Sequence, residues 1–346
     1  MSPYRAEDKT VRNIVIGIMC AFAAWAGYWF YGQSAHAENT ADWFETQRDL
    51  GWIAEFGDLE VQGFPNRFDT ILSDVALADP KTGWAWEAPK FQLLSLSYRP
   101  NHIIAVFPEK HIIRTPDQMI TVTHEVLRGS AVFEPGSDYA LERSSFEGKG
   151  IALQGFAGDP VRIETGQLAT RRTEEGDHGH QVAMELIDVD LGRQVLALLK
   201  GTGTLPTKID EVSFRATADF DGPWDRPSLA ASGPDLRNLD IEDLTLNWAD
   251  MRLRAAGEVA VDRLGYPSGA LSLRAENWQR LVDIAVANGV VPSELKSGVV
   301  SALELIARLS GTPDDLDVKL SFSNRTAFLG PIPIGPAPII WPVQRQ

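Results

Sequence analysis

Apolar positions along the chain follow three different patterns. They run unbroken from Asn13 to Tyr31, recur with a period near 3.6 in a few short stretches, and elsewhere alternate with polar residues at a period of 2. The first run, NIVIGIMCAFAAWAGYWFY, contains no charged side chain. As a helix rising about 1.5 Å per residue it matches a hydrocarbon layer of roughly 30 Å, and it satisfies its own backbone groups there. A transmembrane anchor is therefore expected over 13–31 behind a cytoplasmic tail, 1–12. Arg5, Lys9 and Arg12 precede the run and Glu38, Asp42 and Glu45 follow it, which keeps the N-terminus inside and exports the rest. Trp25, Tyr28, Trp29 and Tyr31 crowd its outer end like an interfacial belt. Ala35-His36-Ala37 before Glu38 also fits a signal-peptide cleavage site, and both routes lead to the same compartment.

A juxtamembrane helix is expected over 38–50, where Trp43, Phe44, Gln47 and Leu50 fall on one side behind Thr40. From Gly57 the period becomes 2. Leu59 and Val61 alternate with Glu60 and Gln62, Trp84 and Trp86 with Ala85 and Glu87, and Ile120 and Val122 with Thr121 and Thr123. Turn-forming groups interrupt these runs at Gly63-Phe-Pro-Asn66, Asp79-Pro-Lys-Thr-Gly83, Arg99-Pro-Asn101, Glu134-Pro-Gly136 and Gly158-Asp-Pro160. The first of them should join 59–61 and 68–77 as neighbouring antiparallel strands. An N-terminal β region is expected over 57–205 and a C-terminal one over 206–346.

In the C-terminal region 208–220 reads as strand and 221–234 as a loop, after a segment at 195–200 that suits a short helix. Leu244, Leu246 and Trp248, then Met251, Leu253 and Ala255, then Val259 and Val261, then Leu271, Leu273 and Ala275 mark successive strands. Two amphipathic helices follow near 276–288 and 293–309, stopped by Gly289 and Gly311. The tail from Leu320 returns to extended chain. The expected fold is mostly β, a long antiparallel meander with an N-terminal transmembrane helix and two C-terminal amphipathic helices.

Charge narrows the partners. The chain has 32 Lys plus Arg against 47 Asp plus Glu; subtracting the three basic and two acidic residues before Asn13 leaves 29 against 45, a net −16 outside the membrane. Such a surface repels phosphate backbones, so no nucleic-acid partner is expected. The single Cys20 lies in the apolar run, so the exported part can form no disulfide.

Motifs of catalysis are sparse. There is no nucleophile elbow or phosphate loop, and His124-Glu125 lacks the second His that a zinc helix needs. Gly201-Thr-Gly-Thr-Leu-Pro206 has proline in the last glycine's place and no βα context. Glu174, Glu175, Asp177, His178 and His180 could offer two imidazoles to a metal, and equally suit a solvated hairpin tip. No catalytic residue, metal site or cofactor is assigned, and the protein is not expected to be an enzyme.

Several stretches carry a resemblance. Val61-Gln-Gly-Phe-Pro-Asn-Arg-Phe-Asp69, Leu77-Ala-Asp-Pro80, Gly83-Trp-Ala-Trp-Glu-Ala-Pro89 and Leu96-Ser-Tyr-Arg-Pro-Asn101 resemble the signature of an alphaproteobacterial envelope family, domain of unknown function 2125. Gly265-Tyr-Pro-Ser-Gly-Ala-Leu-Ser-Leu-Arg-Ala-Glu-Asn-Trp278 and Phe328-Leu-Gly-Pro-Ile-Pro-Ile-Gly-Pro336 are similar to its closing region. More distantly, an anchor followed by amphipathic strands looks like the AsmA-like proteins. That resemblance implies phospholipid handling in the Gram-negative envelope and a U-shaped groove with an apolar inner face.

A long sheet with one apolar face must cover it. Closure against a second sheet makes an ordinary core; a face left ajar makes a lipid groove. The candidate groove residues are Leu244, Leu246, Trp248, Leu271 and Leu273, with Thr245 and Asn247 on the opposite face. Three functions are compatible with these features. The first is a protein of the inner membrane, single-pass with its bulk in the periplasm, that maintains the envelope and binds or moves phospholipid. The second is an anchored scaffold presenting its β surface to an envelope protein partner. The third is an enzyme with an unrecognised site.

Overall fold

The computed structural model describes residues 4–341 apart from 137, 156–157, 175, 177, 199–204, 232, 290 and 311–314. The chain is mostly β, built on antiparallel pairing, with an apolar N-terminal helix long enough to cross a membrane. It divides into two compact units between Asp117 and Gln118. That division falls just after Pro116, whereas the sequence reading separates its two β regions at 205/206.

In the first unit one helix, α1 (Tyr4–Asp49), replaces the separate segments expected at 13–31 and 38–50. Nothing between them breaks a helix, because 32–37 contains no proline. Gly32 serves close packing instead: a Cβ there would stand 2.4 Å from the Phe68 ring. Six strands follow, namely β1 (Ile53–Glu55), β2 (Asp58–Gln62), β3 (Arg67–Asp79), β4 (Trp84–Leu96), β5 (Arg99–Val106) and β6 (Lys110–Arg114). The Gly63–Asn66 turn joins β2 to β3 as antiparallel neighbours, with Leu59 opposite Leu72 and Val61 opposite Thr70. β1 also lies on β3, while β4 pairs with β3 along its length and with β5 and β6 on its other side. Phe44 packs with Ala54, Leu72 and Val75, and Trp29 packs with Val61 and Phe68, so α1 rides on one face of this sheet.

In the second unit β7 (Met119–Thr123) and β8 (Val126–Phe133) both pair with β9 (Leu141–Gln154). The remaining strands follow in chain order, each antiparallel to the next: β10 (Val161–Arg172), β11 (Gly179–Asp190), β12 (Lys208–Phe220), β13 (Leu236–Trp248), β14 (Met251–Val261), β15 (Pro267–Glu276), β16 (Asp315–Ser323), β17 (Thr326–Leu329) and β18 (Ile332–Pro336). Short helices occupy the connections: α2 (Gly192–Leu198), α3 (Arg226–Ala231), α4 (Trp278–Ala287) and α5 (Lys296–Ser310). α3 corrects the expectation of an irregular loop at 221–234. Asp225 caps it, its Oδ1 accepting the Ser228 N–H at 2.8 Å, a helix start hidden among turn-forming residues.

Alternation divides this sheet cleanly. One face carries cross-strand ion pairs, Arg128 with Glu147 and Arg274 with Asp317, worth at most about 1 kcal/mol each at the surface. The other carries the core. Trp278, Val299 and Leu303 are essentially inaccessible and pack with Ala275, Leu316 and Val318 under α4 and α5.

Candidate functional site

The residues expected to floor a groove share one face, as their register requires: Leu244 pairs with Ala255 and Ala255 with Leu273, while Leu271 lies opposite Gly257. Helices occupy much of that face. Leu273 packs against the cluster under α4 and α5, and Leu246 packs against one containing Leu196, Trp248 and Met251. Trp248 is buried there, with its Nε1 donating to the Pro206 carbonyl at 2.9 Å. Leu244 and Leu271 are half-buried. Thr245, on the opposite face, is itself buried.

The apolar hollow bordered by α1 lies in the first unit. Phe68, Thr70, Leu72, Val75 and Leu77 of β3 all face the helix, though simple alternation from Phe68 would turn Val75 outward. The reason is a matched pair of extra residues. The ladder runs to Ser73 opposite Lys90 and resumes at Val75 opposite Ala88, leaving Asp74 across from Pro89. Pro89 has no N–H to give a ladder, and Asp74 takes a left-handed backbone with φ 48°. Both strands thus skip one step together, and Phe91, Ala88 and Trp86 stay on the helix side as well.

Between that face and residues 36–44 of α1 is a cavity of about 360 Å³. Leu72, Leu77, Trp86, Phe91, Leu93 and Ile103 form its sheet wall, and Trp43 and Phe44 form its helix wall. His36, Asn39 and Thr40 add the few polar groups on the helix side. Pockets of roughly 300–1,000 Å³ hold drug-sized ligands, so this one, at the small end, has room for a single aliphatic chain. Trp86 meets both Phe91 and Phe107 edge to face, and Phe91 and Phe107 are tilted against each other, with centroids 5.2–5.9 Å apart.

His36 reports the character of the site. Its ring lies 4.7 Å from that of Phe68, and burial lowers its pKa below the usual 6.5, so at neutral pH it is uncharged when the helix is seated. A lowered imidazole pKa means the undocked helix takes up the proton more readily. Seating is therefore at full strength above pH ~6.5 and weakens as pH falls through that value. Hydrogen exchange of 36–49, corrected for intrinsic rates, should be faster at pH 5 than at pH 7.5. His36→Gln should remove the difference, and an unchanged difference in that variant would refute the assignment.

Chemistry elsewhere is structural in character. Asp79, Asp190 and Asp262 have lowered pKa values because backbone N–H groups of Lys81, Gly192 and Tyr266 bind them in turns. Glu87 is lowered by its hydrogen bond from Arg114. Among the described residues no three His, Cys, Asp or Glu side chains gather as a metal would require. Of the polar cluster, Glu175 and Asp177 lie outside the described residues, as do 201–204. His180 is buried with Nδ1 3.3 Å from Thr170 Oγ1, and Cys20 is exposed on α1.

A sequence profile of a bacterial family described as an uncharacterized protein conserved in bacteria, domain of unknown function 2125, matches residues 29–338. The chain belongs to that family. Comparison with curated proteins and with solved structures gives no match. Both walls of the cavity lie inside the family's span. The sequence had pointed to Trp43, Phe44 and Trp86 as members of amphipathic elements; that these elements face each other could not be read from their spacing.

Proposed function

We propose that this protein is a single-pass inner-membrane protein, N-terminus in the cytoplasm and body in the periplasm, that handles lipid by taking one acyl chain into the cavity between α1 and β3–β5. The observation that carries the reading is that one wall of this apolar cavity belongs to the same unbroken helix that is apolar enough to cross a membrane. His36 follows Tyr31 by five positions, about 7.5 Å along a helix, so the entrance stands close above the lipid surface. Each buried methylene contributes about 0.8 kcal/mol, enough for a short stretch of chain to compete with its place in the bilayer. The architecture, an anchor followed by antiparallel amphipathic strands, also resembles AsmA-like envelope proteins. The reading assigns the protein no chemical step and no cofactor.

The test uses full-length protein in lipid discs containing a phospholipid with a photoreactive group on its acyl chain. Crosslinks are expected at Trp43 and Phe91, and Leu93→Trp, which fills the cavity, should reduce them about tenfold or more while crosslinks at Ile18 persist. Absence of cavity crosslinks in the unaltered protein, or their survival in a folded Leu93→Trp variant, would refute the reading. The anchor is tested separately. α1 passes without interruption through Ala35-His36-Ala37, so the mature protein should keep Met1 to Ala37 and resist alkaline extraction. A mature chain starting at Glu38 would show instead that the helix is a cleaved signal.

A second reading, the anchored scaffold, draws on a different observation. On the polar face of the second unit a cleft of about 370 Å³ is lined by Arg143, Arg171 and Arg215 with Ser130, Gln181 and a single carboxylate, Glu242. Its arginines stand out on a strongly acidic chain and suit an acidic segment of an envelope protein. Loss of a captured partner on Arg171→Glu, with lipid crosslinks unchanged, would favour it.

A further inference from the structure

Below Trp25, helix α1 is largely bare: Ile14, Ile16, Ile18 and Met19 are exposed, and Phe22, also exposed, meets the Phe64 ring edge to face. From Trp25 outward it is fastened to the first unit by four side-chain donors, three to the β2–β3 and β4–β5 turns and their edges and one to β2. Trp25 Nε1 donates to the Pro65 carbonyl at 2.9 Å and Trp29 Nε1 to the Arg67 carbonyl at 2.8 Å. Tyr28 OH donates to the Ser97 carbonyl at 2.6 Å and Gln33 Nε2 to the Val61 carbonyl at 2.8 Å.

These contacts conflict with a body that stands clear of the membrane. The bare stretch from Asn13 to Ala24 is only about 18 Å long, against a hydrocarbon layer of roughly 30 Å. It cannot be extended on the other side, where Arg12, Lys9, Asp8 and Glu7 follow one another closely. The span must therefore include the helix turns that carry residues 25–31, and those turns hold the β2–β3 and β4–β5 connections at their own depth.

We infer that the two connections, 63–66 and 97–98, are sunk into the exported-side leaflet of the bilayer, so that the protein is seated in the membrane and not merely tethered to it. This rests on α1 crossing the membrane. Two further features fit it. Phe64 and Tyr98 project from these turns, 44% and 61% exposed, and Phe64 stacks among Phe22, Trp29 and Phe30 with centroids 5.3–6.1 Å apart. Turn carbonyls at such depth lose water as a partner, a costly condition that the indole and phenol donors of α1 relieve. Arg99, exposed beside Tyr98, can extend its guanidinium toward headgroup phosphates.

The full chain with Cys20→Ser, reconstituted in vesicles of phosphatidylethanolamine and phosphatidylglycerol, allows a direct depth measurement. Spin labels are placed singly at Asn66→Cys, Tyr98→Cys, Ile18→Cys and Lys81→Cys, the last in the β3–β4 turn at the far end of the same strands. Collision with oxygen relative to a water-soluble nickel chelate should be several-fold higher at Asn66 and Tyr98 than at Lys81, approaching Ile18. Values at both turn positions equal to that at Lys81, with Ile18 in lipid, would overturn the inference and leave the anchor intact. An aqueous Ile18 would remove the anchor and the inference together.

Discussion

Replacing Trp278 with alanine is expected to destabilise the second unit by about 3–5 kcal/mol, the range for emptying a large aromatic site in a packed core. The indole is 1% exposed and sits with Val299 at 1% and Leu303 at 0%, where α4 and α5 lie over the ends of β15 and β16. No neighbour can move into the space without withdrawing from the sheet, because Ala275, Leu316 and Val318 are fixed by their strands. At the size of this unit each kcal/mol corresponds to about 2–4 °C, so the melting transition should fall by roughly 6–20 °C. Leu264→Ala, at a position 42% exposed, should leave it nearly unchanged and serves as the control. A Trp278→Ala protein that melts with the unaltered one would mean that α4 is not part of the core.

Phe44→Ala should produce the second large effect, of a different kind. Phe44 is 2% exposed, packs on Leu72 and Val75, and meets Phe56 edge to face at 4.8 Å. Its removal forfeits a similar ~3–5 kcal/mol, but the hydrogen bonds from Trp25, Tyr28, Trp29 and Gln33 continue to hold α1 beside the sheet. The loss is therefore expected as local opening rather than global unfolding. Proteolysis and hydrogen exchange should increase over 32–50 while the second unit's melt stays put. The cavity loses a wall in the same step, so acyl crosslinks should fall with it. Retained protection of 36–49 in this variant would show that other contacts seat the helix.

The periodicities carried much of this fold. The switch from an unbroken apolar run to alternation at Gly57, the turn at Gly63–Asn66 and the sequence of strands from Lys208 to Glu276 were legible because each buries one face and marks its ends with turn formers. The continuity of α1 was not, since polar residues at 32–37 resemble a linker until Gly32 is seen against the Phe68 ring. The cavity was less legible still. The strongest alternation, around Leu244, Leu246 and Leu273, drew attention to a face on which helices pack. The walls that do leave space come from elements about 25–60 residues apart in sequence, and only tertiary pairing brings them together. Even the β3 pattern misleads, because its parity changes at Asp74 and the compensating change lies at Pro89 on another strand.

That compensation makes the two residues a matched insertion. Deleting Asp74 alone, or Pro89 alone, would leave one strand a step longer than its neighbour and force a bulge into the cavity wall. Deleting both would leave Ser73 opposite Lys90 and Val75 opposite Ala88, with every inward residue still inward. The shortened protein would keep its faces and lose only the left-handed step at Asp74. The pair therefore separates two properties usually inherited together in a sheet: which side chains it shows to the helix, and how many residues its strands take to pass beneath it.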